Sequence, residues 1–183
     1  MSTLEKTISY GEHDEDIILM HLFQSANRGF YIDIGAGWET AGSTTKALHQ
    51  KGWNGINIEP NRSMIAEYQA RRKGDINLQC IIADQNKLYD FFTFNDGSIQ
   101  HASANYRYLI SQKNSGFEIT KIHGARLDYI WDNFVPEDQL VHFLKISANG
   151  FENEIITNTN WKKNRPWIVL VQTENLPGQK PND

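Results

Sequence analysis

One stretch decides the fold of this chain: Gly29-Phe30-Tyr31-Ile32-Asp33-Ile34-Gly35-Ala36-Gly37. An apolar strand here runs into a glycine turn, and a helix-length segment then leads to a second apolar strand that ends at Glu59. Glycines in such a turn let the backbone approach a ligand closely, and an acid at the second strand tip can accept hydrogen bonds from ribose hydroxyls. The pattern predicts a site for an adenosine-containing ligand, with a tight turn that serves only the fold as the alternative.

The residues after the turn favour one class of cofactor. A dinucleotide site would continue as G-x-G-x-x-G, but Thr40 stands at the third glycine, and Trp38 and Glu39 bring bulk and negative charge where a diphosphate needs free amides. S-adenosylmethionine carries no phosphate, and Asp33 or Glu39 could meet its amino group or sulfonium. The sequence therefore predicts S-adenosylmethionine rather than a nicotinamide or flavin dinucleotide.

Composition indicates one folded domain. The chain has 183 residues, of which 39% are hydrophobic, and its formal net charge of −4 does not favour nucleic-acid binding. The basic cluster of residues 71–73 is interpreted as complementing the dipole at a helix C-terminus. A single cysteine, Cys80, excludes an internal disulfide framework. Without an apolar run of membrane-spanning length or a signal peptide, we expect a cytoplasmic protein that does not enter membranes.

Alternating patterns predict a parallel sheet with helices on both faces. Helical spacing predicts helices over residues 15–26 and 43–50, the second capped by Ser43 or Thr44, and another from Asn61. Strands are predicted over residues 30–34, 55–59, 76–83, 88–94, 117–122, 141–146 and 167–172, with further helices over 127–134 and from Phe151. We divide the chain into a helical entry (1–28), an α/β domain (29–174) and a tail or linker (175–183).

Read in order, these segments resemble the FkbM family of S-adenosylmethionine-dependent methyltransferases. Besides residues 30–37, quoted above, the matching stretches are Ser9-Tyr10-Gly11-Glu12-His13-Asp14-Glu15-Asp16, Gly52-Trp53-Asn54-Gly55-Ile56-Asn57-Ile58-Glu59-Pro60-Asn61, Ala83-Asp84, Arg126-Leu127-Asp128, Phe143-Leu144-Lys145-Ile146 and Arg165-Pro166. They cover about residues 9–174. The resemblance implies a Rossmann-like class I methyltransferase sheet, with the cofactor over the C-terminal strand ends.

The resemblance also implies a set of site residues. Carried onto matching positions, the cofactor-binding residues are Glu15, Asp33, Gly35, Ala36, Gly37, Ser43, Glu59, Pro60, Asp84 and Ser147. The chain departs from the family where members have Asp-Val-Glu-Gly-Ala-Glu, because Ser147 and Asn149 stand in place of the two acids. It also ends soon after residue 174, so we expect the last strands of the class I sheet to be lacking. The edge left there predicts a homodimer or a downstream domain.

Methyl transfer to a hydroxyl requires a positioned acceptor and removal of its proton. Candidates for the catalytic group are Lys145, Asn149 and His123, and the sequence does not single out one base. Lys145 closes a buried strand, so it contacts substrate or pairs with Asp33 or Glu59. No metal-ligand spacing is present.

Two functions remain open at this point. The first is S-adenosylmethionine-dependent O-methylation of a saccharide or another small-molecule acceptor, because the resemblance implies this reaction for many members of the family. The second is a catalytically degenerate domain that binds the cofactor or a partner within a larger protein. The intact stretch from Asp33 to Gly37 and the acid Glu59 favour the first function or a cofactor-binding version of the second. The missing acids at 147 and 149 and the short C-terminus favour the second.

Overall fold

The computed structural model of the chain describes residues 8–94, 102–103 and 116–173. Strands and helices alternate through most of this part, as the sequence predicts. The elements are α1 (Glu15–Leu22), β1 (Phe30–Ile34), α2 (Lys46–Gln50), β2 (Asn54–Ile58), α3 (Arg62–Arg71), β3 (Ile76–Leu78), β4 (Ile81–Ile82), β5 (Leu88–Phe94), β6 (Ala102–Ser103), β7 (Phe117–Ala125), α4 (Leu127–Phe134), β8 (Phe143–Ile146), α5 (Glu152–Asn158) and β9 (Ile168–Val171).

Five strands of the described residues form a parallel sheet in the order β3-β2-β1-β8-β9. The central strand β1 is buried along its whole length, as expected for a strand with neighbours on both sides and helices on both faces. The C-terminal ends of β1, β2 and β8 therefore meet at one edge, because Ile34 is in register with both Ile58 and Ile146. The predicted Rossmann-like parallel architecture is confirmed.

Helices cover both faces of this sheet. On one face Tyr31 and Phe143 pack with Leu19 of α1, Leu48 of α2 and the fully buried Trp53. The predicted helical entry is thus joined to the same core as the strands. The other face is a larger apolar cluster to which α4 and α5 contribute, and its members from those helices are Leu127, Ile130 and Ile155.

A second, smaller sheet has the order β4-β7-β5-β6. It corrects the predicted strand over residues 76–83, which is split. Its first part, β3, pairs with β2 as far as Leu78, whereas Ile81 and Ile82 pair with Gly124 and Ala125 of β7. The chain changes sheets at Gln79 and Cys80, and alternating apolar residues alone could not show this change of partner.

Two predicted helix boundaries are also corrected. The first helix ends at Leu22 instead of Ala26, because the backbone leaves the helical conformation at Phe23, whose side chain packs against Trp53. The second begins at Lys46, and neither Ser43 nor Thr44 caps it, since both hydroxyls bond to side chains elsewhere in the fold. The helix predicted to begin near Asn61 is confirmed: it begins at Arg62, and the Asn61 side chain caps it by accepting from the amides of residues 63 and 64.

Two further expectations concern the ends of the chain. Among the described residues β9 pairs with β8 alone, and Trp167 beside it is 61% exposed, so a partner at this edge stays a prediction. The predicted tail, residues 175–183, lies outside the described residues. Within the described part of the chain, no helix has the length and apolar character needed to cross a membrane.

Candidate functional site

A cavity of about 270 Å³ lies where β1, β2 and β8 end. Eight of the residues singled out from the sequence line it together: Gly35, Ala36, Gly37, Glu59, Pro60, Lys145, Ser147 and Asn149. Residues that the sequence did not single out complete the lining: Glu12, Ile34, Trp38, Ala41, Gly42, Ile58, Asn61, Met64, Cys80, Ile81, Ile82, Phe91, Ala148 and Gln172. The cavity is thus partly apolar, and it carries ionisable groups at a few defined places.

The two glycines of the turn have different structural roles. Both adopt a left-handed backbone, with φ of 68° at Gly35 and 66° at Gly37. A Cβ on Gly35 would lie 1.8 Å from the carbonyl oxygen of Ser147, so this glycine is required by close approach of the β8 end. A Cβ on Gly37 would meet no atom within 4 Å. Of these two glycines, Gly37 is therefore the one that leaves open space beside the cavity.

Glu59 fixes the turn from the tip of β2. One carboxylate oxygen accepts from the amide of Gly37 at 2.9 Å, and the other accepts from the amide of Asn61 at 2.8 Å. Burial raises the pKa of Glu59, although these two amides and the charge of Lys145 act in the opposite direction. Each oxygen keeps a second lone-pair site, so the carboxylate can still accept a hydrogen bond from a ligand.

Lys145 joins β8 to β1. Its ammonium lies 3.1 Å from a carboxylate oxygen of Asp33 and donates to the carbonyl oxygen of Gly35 at 2.8 Å. Of the alternatives left open for Lys145, the structure shows the pair with Asp33. Asp33 is fully buried and does not line the cavity. Its carboxylate is paired with Lys145 inside the protein. The expectation that Asp33 could meet a ligand cation has no support in this geometry.

Glu39 also faces the protein and not the cavity. Its carboxylate is fully buried and contacts Lys46, Arg71 and Arg72. Burial alone would raise its pKa, but hydrogen bonds from Lys46, Arg72 and Thr40 outweigh burial and hold the pKa of Glu39 below its usual value. Like Asp33, this acid was expected to be available to a ligand.

The basic cluster of residues 71–73 lies at the C-terminal end of α3, as predicted, with Arg71 in the last turn. The prediction did not include the burial of Arg72, whose side chain is fully buried. A signal was available in the sequence, because Arg72 follows Tyr68 by four residues and continues the buried face formed by Met64 and Ile65.

Four other residues singled out from the sequence lie away from the cavity. Glu15 accepts from the Thr44 hydroxyl at 2.7 Å, and Ser43 accepts from Arg72. Asp84 accepts from the Tyr89 hydroxyl at 3.0 Å. His123 lines a separate groove beside α4. The predicted ligand contacts of these four residues therefore stay predictions.

The tip of β8 carries Ser147, Ala148 and Asn149 into the cavity. Asn149 has a positive φ of 47°. Glu152, the acid retained from the family pattern, accepts from the amides of Ala148 at 2.7 Å and Gly150 at 2.9 Å. Glu152 therefore shapes this turn, and its carboxylate does not line the cavity.

Glu12 and Gln172 extend the site from two distant parts of the sequence. They meet at the cavity, where the Gln172 amide donates to Glu12 at 3.3 Å. This pair could not be predicted from the sequence, because nothing in either segment indicates that the two residues meet. Among the described residues, Glu12 and Glu59 are the carboxylates that line the cavity.

Cys80 also lines the cavity, beside the apolar residues 81 and 82. Burial raises the pKa of its thiol to about 12, so the thiol is neutral and not nucleophilic near neutral pH. Cys80 therefore contributes a small apolar surface to this side of the cavity.

The comparison with protein families agrees with this arrangement. The model of the methyltransferase FkbM domain matches residues 26–182, which is most of the chain. No curated protein and no solved structure matches it. The family match and the mixed α/β fold with a mostly parallel sheet support each other. The chain therefore belongs to the FkbM methyltransferase family.

Proposed function

We propose that this chain is an S-adenosylmethionine-dependent methyltransferase that methylates a hydroxyl group of a saccharide. The observation that carries the proposal is the position of Glu59 and Gly37 at one cavity, on the edge where β1, β2 and β8 end. Membership of a methyltransferase family supports the reaction type. The saccharide acceptor rests on the resemblance to family members that modify sugars.

The residues of the cavity fit an adenosine-containing ligand without phosphates. Glu59 would hold the ribose hydroxyls with its remaining lone pairs, and Gly37 leaves space for the ligand to approach the backbone. The carboxylates of Glu12 and Glu59 would repel a diphosphate, whereas S-adenosylmethionine has a sulfonium that they attract. The apolar side at Cys80, Ile81 and Phe91 suits an aromatic base.

When bound, S-adenosylmethionine supplies an electrophilic methyl group, and the chain has to orient the acceptor and exclude water. Ser147 and Asn149 at the β8 tip are placed to hydrogen-bond an acceptor, because they line the same cavity. Lys145 is held by Asp33 and Gly35, so it orders the turn and is poorly placed to take a proton. Glu12 is the cavity carboxylate outside the ribose position and is our candidate for accepting the hydroxyl proton.

A second function, cofactor binding without catalysis, is favoured by one specific observation. Ser147 and Asn149 stand where the family resemblance implies two acids at this strand tip, while Gly35, Gly37 and Glu59 line the cavity. General-base assistance is typically worth about 10²–10⁴-fold in rate. A domain that lacks it could bind the cofactor and transfer the methyl group slowly or not at all.

One experiment separates the two functions. The protein is incubated with S-adenosylmethionine carrying a deuterated methyl group and a panel of activated sugars, and the products are analysed by mass spectrometry. We expect one sugar to gain the labelled methyl group, and we expect the Glu59→Gln variant to form less product. Retention of the cofactor without any labelled sugar would favour the binding domain. If the protein neither retains the cofactor nor transfers the labelled methyl group, both functions are contradicted.

A further inference from the structure

We propose that Tyr68 of α3 and Arg72, the residue that directly follows this helix, are positioning residues that hold the loop of residues 36–45 in the shape the cofactor requires. This inference rests on the proposed function, because it concerns the same cavity. Neither side chain lines the cavity, and both are fully buried behind the loop. They are adjacent at the C-terminal end of α3, because the Arg72 amide donates to the Tyr68 carbonyl oxygen at 2.7 Å.

Arg72 is bonded through its whole guanidinium. Nε donates to the Glu39 carboxylate at 3.0 Å, and Nη2 donates to the Glu39 carbonyl oxygen and to the Ser43 hydroxyl, each at 3.0 Å. Nη1 donates to the Thr45 hydroxyl at 2.7 Å and to the Tyr31 hydroxyl at 3.2 Å. A guanidinium has five N–H donors, and these five bonds use all of them. Four of the five end on the loop.

Tyr68 holds the part of the loop nearest the glycine turn. Its hydroxyl lies 2.8 Å from the carbonyl oxygen of Ala36 and 3.2 Å from that of Trp38. The Arg72 guanidinium lies 4.7 Å from the centre of the Tyr68 ring, within the range of a cation–π contact. The two side chains therefore act on the loop as one unit.

The loop has two functional faces. Its contacts with Tyr68 and Arg72 involve backbone carbonyls and the side chains of Glu39, Ser43 and Thr45. On its other face, Gly37, Trp38, Ala41 and Gly42 line the cavity. Loss of the hydrogen bonds from Tyr68 and Arg72 would let the loop move and change the shape of the cavity, although neither side chain lines the cavity.

The essential property of Arg72 is the planar guanidinium, which spreads five N–H donors over three nitrogens. A lysine would keep the positive charge opposite Glu39, but it has three donors on one nitrogen and cannot reach five separated acceptors. It would leave buried oxygens of the loop without a partner, and such groups are costly to bury. Arg72→Lys is therefore a test of geometry at constant charge.

The chain offers a matched control in the neighbouring residue. Arg71 also approaches Glu39, at 3.6 Å, but its side chain is 59% exposed. We would compare Arg72→Lys with Arg71→Lys, and add Tyr68→Phe, which removes one hydroxyl and little volume. The probe is S-adenosylhomocysteine, with Kd measured by calorimetry on the folded fraction. The second measurement is hydrogen exchange of the Gly37 amide, which Glu59 protects in the native structure.

We expect roughly a tenfold or greater increase in Kd for Arg72→Lys, a smaller increase for Tyr68→Phe, and no change for Arg71→Lys. The Gly37 amide should exchange faster in the first two variants while the Ile32 amide in the central strand keeps its rate. A purely structural role would change the folded fraction and leave both the Kd of the folded protein and the Gly37 exchange unchanged.

Equal Kd values and equal Gly37 exchange in Arg72→Lys and Arg71→Lys would overturn the proposal. If Arg72→Lys does not fold, the same two measurements on Tyr68→Phe decide. A wild-type protein that does not bind the probe would contradict the proposed function instead, and the Gly37 exchange rates would still show whether α3 holds the loop.

Discussion

The two sides of the cavity are built in different ways. On the side of β1, β2 and α3, the turn and the loop after it are fixed by Glu59, Tyr68 and Arg72. On the side of β8, the tip is a short turn whose amides are held by Glu152, and it presents Ser147 and Asn149 to the cavity. On the first side, hydrogen bonds made by buried side chains, two of them charged, hold the loop in place. On the second side, the carboxylate of Glu152 holds the backbone amides of the turn.

The two sides also differ in how closely their residues follow the pattern of the family. The side of β1 and β2 carries the glycine turn and Glu59, which we propose hold the cofactor. The β8 side carries the two positions at which this chain departs from the family pattern. We infer that cofactor binding is retained and that the differences concern the acceptor.

The largest expected effect comes from Lys145, which links the two sides. Lys145→Met would leave Asp33 as a buried carboxylate without its cation, and removal of one partner of a buried ion pair typically costs about 3–5 kcal/mol. We expect a loss of this size in the free energy of unfolding, measured by urea denaturation.

Two further variants control this measurement. Lys163→Met breaks an exposed pair with Asp132 and should cost at most about 1 kcal/mol. The double variant Asp33→Asn with Lys145→Met removes the stranded charge and should recover part of the loss. If Lys145→Met is no more destabilising than Lys163→Met, the ion pair does not couple the two sides.

The next effect compares two glycines that share a backbone conformation. Gly35→Ala combines a left-handed residue, which costs about 1–2 kcal/mol, with overlap against the Ser147 carbonyl, which costs about 1–3 kcal/mol more. Gly37→Ala has only the first of these costs, because its Cβ meets open space. Thermal unfolding should therefore give a lower Tm for Gly35→Ala, and calorimetry should give weaker ligand binding for Gly37→Ala. Equal stability of the two variants would contradict the role assigned to Gly35.

The smallest effect concerns Asn149 on the β8 side. Its positive φ of 47° suits asparagine and glycine better than glutamate. Restoring the acid of the family pattern with Asn149→Glu should therefore cost about 1–2 kcal/mol in the free energy of unfolding, whereas Asn149→Gly should cost less. Ser147→Asp has no such strain to overcome. A stabilised Asn149→Glu protein would show that the turn changes its conformation when the acid is present.

The order of elements could be predicted from the sequence because apolar periodicity and glycine or asparagine at element ends are local signals. Asn61 is an example, since its cap depends only on the residues that follow it. The split of the third strand could not be predicted in this way. Ile81 and Ile82 are as apolar as Ile76, and their partner in β7 lies far away in the sequence.

The residues of the site also differ in whether a local sequence signal could identify them. Gly35, Gly37 and Glu59 could be identified because each lies at the end of a recognisable strand. The cap predicted at Ser43 was wrong and the burial of Arg72 was missed, since these two partners lie 29 residues apart in the sequence and only the fold brings them together. Buried charges require partners, and a sequence does not say which ones they are.

The most direct test of the central claim, that this cavity binds the cofactor through Glu59, is calorimetric titration with S-adenosylhomocysteine from about pH 5 to about pH 8. Burial raises the pKa of Glu59, and ribose hydroxyls would donate to its ionised form. Affinity should therefore increase as pH rises through this raised pKa and then level off. In Glu59→Gln we expect binding weaker by about 1.5–3 kcal/mol at the higher pH, without this pH dependence. No heat at millimolar ligand, or equal affinity in the wild type and Glu59→Gln, would contradict the claim.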